Sequence, residues 1–151
     1  MTRWRIRDAL PADRHEIAEM RHLLWPDSSA EEHLRELESG LPAVNFVAAS
    51  FVGDDERESL IGFVEAGLRS HADGCDPRHP VGYVEGWFVR EEFRNRGVGR
   101  ELIRAAEDWA RAQGCVEMAS DALIDNHVSQ QAHGALGFEV VDRCVHYRKR
   151  L

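Results

Sequence analysis

The sequence predicts a mixed α/β domain with helices on both faces of one sheet. Three observations carry this expectation. Stretches with two-residue alternation and stretches with helical spacing interleave along the chain; proline, glycine and capping residues punctuate their ends; and no segment repeats or falls into low complexity. The predicted order is β-α-α-β-β-β-α-β-α-β-β. With 151 residues, 43% of them hydrophobic, and only 12 Gly and 5 Pro, the chain suits a single domain over 1–151 with one core.

Arg3 to Arg7 alternates, with Trp4 and Ile6 on one face, and reads as a strand. Pro11 suits the first turn of a helix, where its missing N–H would be unbonded anyway. Ile17, Met20, Leu23 and Leu24 keep helical spacing until Trp25-Pro26, since a residue before proline is pushed out of the α region. Ser29-x-x-Glu32 is a capping box for a second helix, whose Leu34, Leu37 and Leu41 point inward and which stops near Gly40. Phe46–Val52 and Leu60–Leu68 read as a hairpin around a Gly53-Asp54-Asp55 turn. His71 to Gly82, with Gly74, Pro77 and Pro80, reads as an ordered loop.

Tyr83–Val89 is the next strand. Val98, Leu102, Ala105, Ala106 and Trp109 then form one stripe of a helix, Arg104, Glu107, Asp108 and Arg111 the opposite one, and Gly114 the C-terminal cap. Cys115–Ser120 is a short strand delivering Asp121. Asp125 or Asn126 caps a last helix running through Leu136 to Gly137, and Phe138–Val141 and Val145–Arg148 read as two closing strands.

Between strand and long helix lies Arg94-x-x-Gly97-x-Gly99, followed by Arg100. A helix N-terminus presents unpaired N–H groups and about half a positive charge, so it can hold a phosphate. Gly97 and Gly99 permit a sharp turn and close approach, and Arg94, Arg96 and Arg100 add charge-assisted bonds. By itself the motif fits a plain glycine-capped turn with surface arginines equally well. It lacks the Lys-Ser/Thr of a Walker loop.

The 27 acidic and 19 basic residues give −8, a field that disfavours nucleic acid and anionic membranes and attracts cationic small molecules. No apolar run approaches the roughly 20 residues of a membrane span. MTRWRIRDAL lacks the apolar centre of a secretory leader. Cys75, Cys115 and Cys144 are scattered without metal-ligand spacing, so no metal is expected, and they suit a reducing cytoplasm.

The glycine motif, together with Asn126-x-x-Ser129-x-x-x-His133-x-x-x-Gly137-Phe138 downstream, resembles the GCN5-related N-acetyltransferase (GNAT) family over essentially the whole chain. Further strings are similar to its aminoglycoside 6′-N-acetyltransferase branch. These are Leu24-Trp25-Pro26, Gly74-Cys75-Asp76, Glu85-Gly86, Arg94–Val98 with Leu102-Ile103, Glu117–Asp121, His133 with Ala135–Phe138, and Tyr147–Arg150. The resemblance implies a mixed, mostly antiparallel sheet whose parallel strands 4 and 5 splay apart to admit the pantetheine arm of acetyl-CoA. It further implies a cationic aminoglycoside as the amine substrate and a homodimer.

Residue by residue, the resemblance assigns Arg94, Asn95, Arg96, Gly97, Val98, Gly99 and Arg100 to the pyrophosphate. Trp87, Phe88 and Val89 would contact the cofactor through their backbones, and the N–H at Phe88 or Val89 would stabilise the tetrahedral oxyanion. As side chains, Trp87 and Phe88 read as core. Asn126 matches a contact to the cofactor arm, compatible with helix capping.

An aminoglycoside amine is mostly protonated at neutral pH, so the reaction needs a proton acceptor. Glu85 and Asp121 both match substrate carboxylates, and either can be that base. Alternation puts Glu85 on the face of Tyr83 and Trp87. His133 stands where relatives carry a tyrosine that protonates the CoA thiolate; its competing reading is a packed histidine, and Tyr147 is a second candidate acid. Trp25 resembles an aromatic residue packing on a sugar ring, Asp142 an acidic substrate contact with Glu139 nearby, and His71 stands where some relatives have tyrosine. Two other functions fit the same chain: an acetyltransferase for a polyamine, small metabolite or protein lysine, and a non-catalytic acyl-CoA-binding module.

Overall fold

Alternation in the sequence becomes a five-stranded sheet in the spatial order β1-β2-β3-β4-β5. The computed structural model describes residues 3–40, 44–51 and 58–151. Strands β1 (Trp4–Asp8), β2 (Val44–Phe51), β3 (Glu58–Arg69) and β4 (Val81–Val89) form an antiparallel meander, and β5 (Glu117–Ser120) joins parallel to β4. A parallel neighbour requires a crossover, which α3 (Val98–Ala112) supplies. The sheet is thus mixed and mostly antiparallel, as expected. Leu41 and the Gly53-Asp54-Asp55 turn lie outside the described residues.

One 3₁₀ turn, Pro11–Asp13, leads into α1 (Arg14–Leu24), and the Ser29 capping box opens α2 (Ala30–Glu38). Ser29 Oγ accepts from the Glu32 amide at 3.1 Å, while the Glu32 carboxylate accepts from the Ser29 amide at 3.4 Å. Ile17, Met20 and Leu37 of these helices pack on Val47, Leu60, Phe63 and Phe88. On the other face Val98, Leu102, Ile103 and Ala106 of α3 cover Ile61, Val64, Ala66 and Val84. Each buried Val, Leu, Ile, Met or Phe among them contributes about 1.5–3 kcal/mol, so the sheet's two dry faces set where the helices go. Asn126 Oδ1 accepts from the Ser129 amide at 3.1 Å and caps α4 (His127–Ala135).

The β3–β4 ladder has a bulge. Glu65 faces Gly86 and Ala66 faces Val84, which leaves Glu85 unpaired across the ladder. An extra residue shifts the side-chain parity of everything beyond it. Glu85 therefore stays on Tyr83's face, where both meet Arg69, whereas Trp87 turns to the α3 face and packs on Gly99 and His133. The expected common face of Glu85 and Trp87 is corrected by this bulge.

The β4–β5 ladder ends at Val84 opposite Ser120, yet β4 continues to Val89. Its edge from Glu85 to Val89 is unpaired on the β5 side. The predicted strands over 138–141 and 145–148 are not formed: residues 138–151 enter no ladder. A strand exists through bonds to a neighbouring strand, and among the described residues this segment has no such neighbour.

Candidate active site

The unpaired β4 edge and the α3 N-terminus meet at the glycine turn. Gly97 is the N-cap of α3 with φ +86°, a left-handed conformation that favours glycine. A Cβ built there meets no atom within 4 Å, so the space above the helix end is open. Asn95, also left-handed at φ 61°, starts the turn. Arg94, Arg96 and Arg100 are exposed and form no ion pair among the described residues. Arg96 lies over the Phe93 ring at 5.6 Å, and Arg94 over Phe88 at 5.6 Å. Val98 is buried and anchors the helix start.

Three contacts stiffen the edge itself. Arg94 Nε donates to the Val89 carbonyl at 2.8 Å, the Trp87 indole donates to the Gly99 carbonyl at 3.2 Å, and Phe88 packs beside Phe63 in the core. The Trp87 and Phe88 side chains are thus structural, leaving the backbone of 87–89 as the part open to a ligand. Beside it, Leu23, Phe88, Arg90, Glu91, Glu92 and Arg94 line an open depression of about 290 Å³.

On the α1 face the bulge gathers residues that the sequence placed on the substrate side. Trp25 Cη2 would be 2.6 Å from a Cβ on Gly86, so the indole lies directly on that glycine's backbone. Below it the Arg21 guanidinium, 5.6 Å from the Trp25 ring, bonds both Glu65 oxygens at 2.5 and 2.7 Å and Glu36 at 2.8 Å. Arg21 and Glu65 are almost completely buried. Burial disfavours the Arg21 cation, but hydrogen bonds and attraction from Glu65 and Glu36 outweigh it and raise its pKa.

Further along, Tyr83 Oη donates to Asp121 Oδ2 at 2.6 Å. The Arg69 guanidinium lies 3.4 Å from the Tyr83 ring centre and bonds both Glu85 oxygens at 3.2 and 3.1 Å. Burial first, then the bond to Asp121, pushes the Tyr83 phenol up to about 12. Asp121 Oδ1 has no hydrogen-bond partner among the described residues.

His133 sits at the apex where β4 and β5 part. Its ring meets Trp87 and Phe138 edge-on, at 5.3 and 5.2 Å. Nδ1 is 2.7 Å from the Ser129 carbonyl, which can only accept, so this nitrogen carries a proton. Nε2, 2.8 Å from Ser120 Oγ, then accepts from that hydroxyl in the neutral ring. His71 and Asp142 are not drawn in. His71 faces Asp73 at 3.8 Å on an exposed loop, and among the described residues the Asp142 carboxylate accepts only from the Arg143 amide. Among the described residues no group of three His, Cys, Asp or Glu could hold a metal.

Sequence reasoning missed Arg69, Ser120 and the Arg21–Glu65 pair. Arg69 carried a usable signal, since Glu65, Gly67 and Arg69 alternate on one face of β3. The bulge that brings Glu85 to it leaves no mark in the sequence beyond Gly86.

A sheet opened between two parallel strands, with a glycine turn at the crossover helix, defines the class as an N-acyltransferase. The sequence model of the acetyltransferase (GNAT) family matches residues 15–138, and the chain belongs to that family. It is 42% identical over 132 residues, 87% of this chain and 88% of the relative's, to the aminoglycoside N(6′)-acetyltransferase type 1 of Salmonella typhimurium. With the protein of the same name from Stenotrophomonas maltophilia it shares 39% over 147 residues, 97% of this chain and 93% of that one. The solved structure of aminoglycoside N-acetyltransferase AAC(6′)-Iy in complex with CoA superposes with a TM-score of 0.87 at 37% identity, covering 100% of this chain and 97% of that one. The same enzyme with the bisubstrate analogue CoA-S-monomethyl-acetylneamine gives 0.84 at 38% identity, covering 99% of both chains.

Proposed function

We propose that this protein is an acetyl-CoA-dependent aminoglycoside 6′-N-acetyltransferase working by direct transfer in a ternary complex. One observation carries the reading: Trp25, Glu85, Tyr83 and Asp121 gather on one face beside the unpaired β4 edge. An aromatic platform with carboxylates is what a polycationic sugar requires, and the open edge is what a pantetheine amide pairs with. The relatives named above carry this activity in their names, and AAC(6′)-Iy binds CoA and a CoA–aminoglycoside analogue.

In this reading the α3 N-terminus with Arg94, Asn95, Arg96, Gly97, Val98, Gly99 and Arg100 holds the pyrophosphate. The backbone of Trp87, Phe88 and Val89 and the side chain of Asn126 hold the arm. Asp121 takes a proton from the substrate ammonium through its unpartnered Oδ1, whereas Glu85, paired with Arg69 in the free protein, serves as a cation-binding carboxylate. The freed amine lone pair attacks the thioester carbonyl, and the N–H at Phe88 or Val89 stabilises the oxyanion. The C–S bond breaks as the C=O re-forms, the attacking nitrogen sheds its second proton to water, and the departing thiolate takes one from the Ser120 hydroxyl, which the imidazolium form of His133 re-protonates from Nε2. Trp25 packs on the sugar; His71 and Asp142 contact outlying amines.

We read the 151 residues as one catalytic domain that works in the cytoplasm as a homodimer. Its three cysteines are free. Val140, Val141, Val145, Tyr147 and Leu151 are exposed on a segment that forms no ladder, and supply apolar surface for a second copy to cover. Light scattering of the intact chain and of one ending at Gly137 tests this, the intact chain being expected at twice the monomer mass.

For the activity, purified protein with acetyl-CoA and kanamycin releases free thiol, and NMR of the product finds the acetyl group on the 6′ nitrogen. No thiol release across a panel of 6′-amino aminoglycosides sinks the reading. Better kcat/KM for spermidine than for any aminoglycoside redirects it to another amine.

A further inference from the structure

Taking the aminoglycoside reading as its basis, we propose that Arg69 is a specificity-determining residue: its guanidinium fills the cation position made by Glu85 and the Tyr83 ring, and a substrate ammonium group must displace it.

The position is built before Arg69 enters it. Tyr83 is only 8% exposed, and its hydroxyl is pinned at 2.6 Å by Asp121, so the ring's orientation is set from the far side. Glu85 is turned onto the same face by the β-bulge opposite Glu65 and Ala66. A carboxylate beside a fixed aromatic face is a cation site, attractive to an ammonium as much as to a guanidinium. Trp25 lies over Gly86, next to Glu85, so the site continues the surface assigned to the sugar.

The occupant, by contrast, is loosely held. Arg69 is the last residue of β3; its side chain is 45% exposed and that of Glu85 37%. Among the described residues its side chain touches no charged group but Glu85. Exposed pairs of this kind are weak and are screened by salt, so the guanidinium can swing out when a cation arrives. It thereby acts as a tethered competitor. An amine without a sugar ring to pack on Trp25 gains little by displacing it, whereas an aminoglycoside anchored also at Trp25 and Asp121 can take Glu85 from it. Arg69 thus narrows the range of amines that the crevice accepts.

The test compares wild type with Arg69→Gln and Arg69→Lys, using kanamycin and spermidine as probes. Arg69→Gln lowers Kd and KM for both by about two- to fivefold, the scale of one exposed ion pair, and more for spermidine. The kcat moves far less than KM, and CoA affinity stays the same, which also certifies the fold. Arg69→Lys, which keeps a cation, moves KM less than Arg69→Gln. In the wild type the ¹⁵N-coupled Nε–H signal of Arg69, assigned by its loss in Arg69→Gln, shifts when kanamycin binds without acetyl-CoA. A KM that rises or stands still in Arg69→Gln, or an Arg69 signal indifferent to kanamycin in an enzyme that acetylates it, overturns the inference alone. A wild type that neither binds nor acetylates either amine overturns the functional reading and this inference together.

Discussion

Tyr83 Oη donates a 2.6 Å hydrogen bond to Asp121 Oδ2, joining the two strands just before they part. Val84 and Ser120 are the last paired residues of β4 and β5, so this bond sits at the throat of the wedge. It leaves Asp121 with one oxygen held and the other open, the arrangement a proton acceptor needs for a fixed direction.

Burial and the Asp121 anion raise the Tyr83 phenol from 10.0 to about 12. A folded-state pKa above the unfolded one means that the native protein holds this proton longer. Its contribution is complete below pH 10 and is lost as pH climbs towards 12, at most about 3 kcal/mol for a two-unit shift. Absorbance titration at 295 nm should show one tyrosine ionising near 12 that is absent from Tyr83→Phe, and the variant should lose less stability between pH 10 and 12.

Substituting the proposed base should separate the two carboxylates. Asp121→Asn is expected to lower kcat by ~10²–10⁴ at pH 7, the range for a general base. Glu85→Gln should act mainly on KM for the aminoglycoside. A larger kcat loss in Glu85→Gln than in Asp121→Asn would exchange their roles.

Gly86→Ala places a Cβ 2.6 Å from Trp25 Cη2 and must push the indole off the sheet. Overpacking of this kind costs about 1–3 kcal/mol. Steady-state kinetics should show KM for kanamycin rising while the affinity for CoA is retained.

Glu65→Gln leaves the Arg21 guanidinium buried with Glu36 as its remaining anionic partner. Breaking a buried pair from one side costs roughly 3–5 kcal/mol, whereas replacing both members with apolar residues costs far less. Urea denaturation of Glu65→Gln and of Arg21→Met/Glu65→Leu should show that order, and Trp25 fluorescence should change in both.

Gly97→Glu sets an anion in the space above the α3 N-terminus and forces a side chain into the left-handed region at φ +86°. Calorimetry should find CoA binding abolished. Retained affinity would remove the phosphate-cradle argument.

Much of the architecture was legible because it rests on local rules. The Ser29 box, the stop at Trp25-Pro26, the Gly97 turn and the Asn126 cap are each set by a few neighbouring residues, and all formed where the sequence placed them. Residues 138–151 failed the same reading, since alternation reports a tendency to extend and cannot supply the strand that an extended segment pairs with.

The sequence by itself determined the order of elements, the site of the glycine turn and the residue types, Trp25, Glu85, Asp121 and His133, that chemistry could use. Only the tertiary structure decided their company. A one-residue bulge opposite Glu65 separated Glu85 from Trp87, gave Glu85 to Arg69, and left Asp121 to Tyr83. Such choices lie between strands far apart in sequence, where a shift of one residue reverses a face without changing any local pattern.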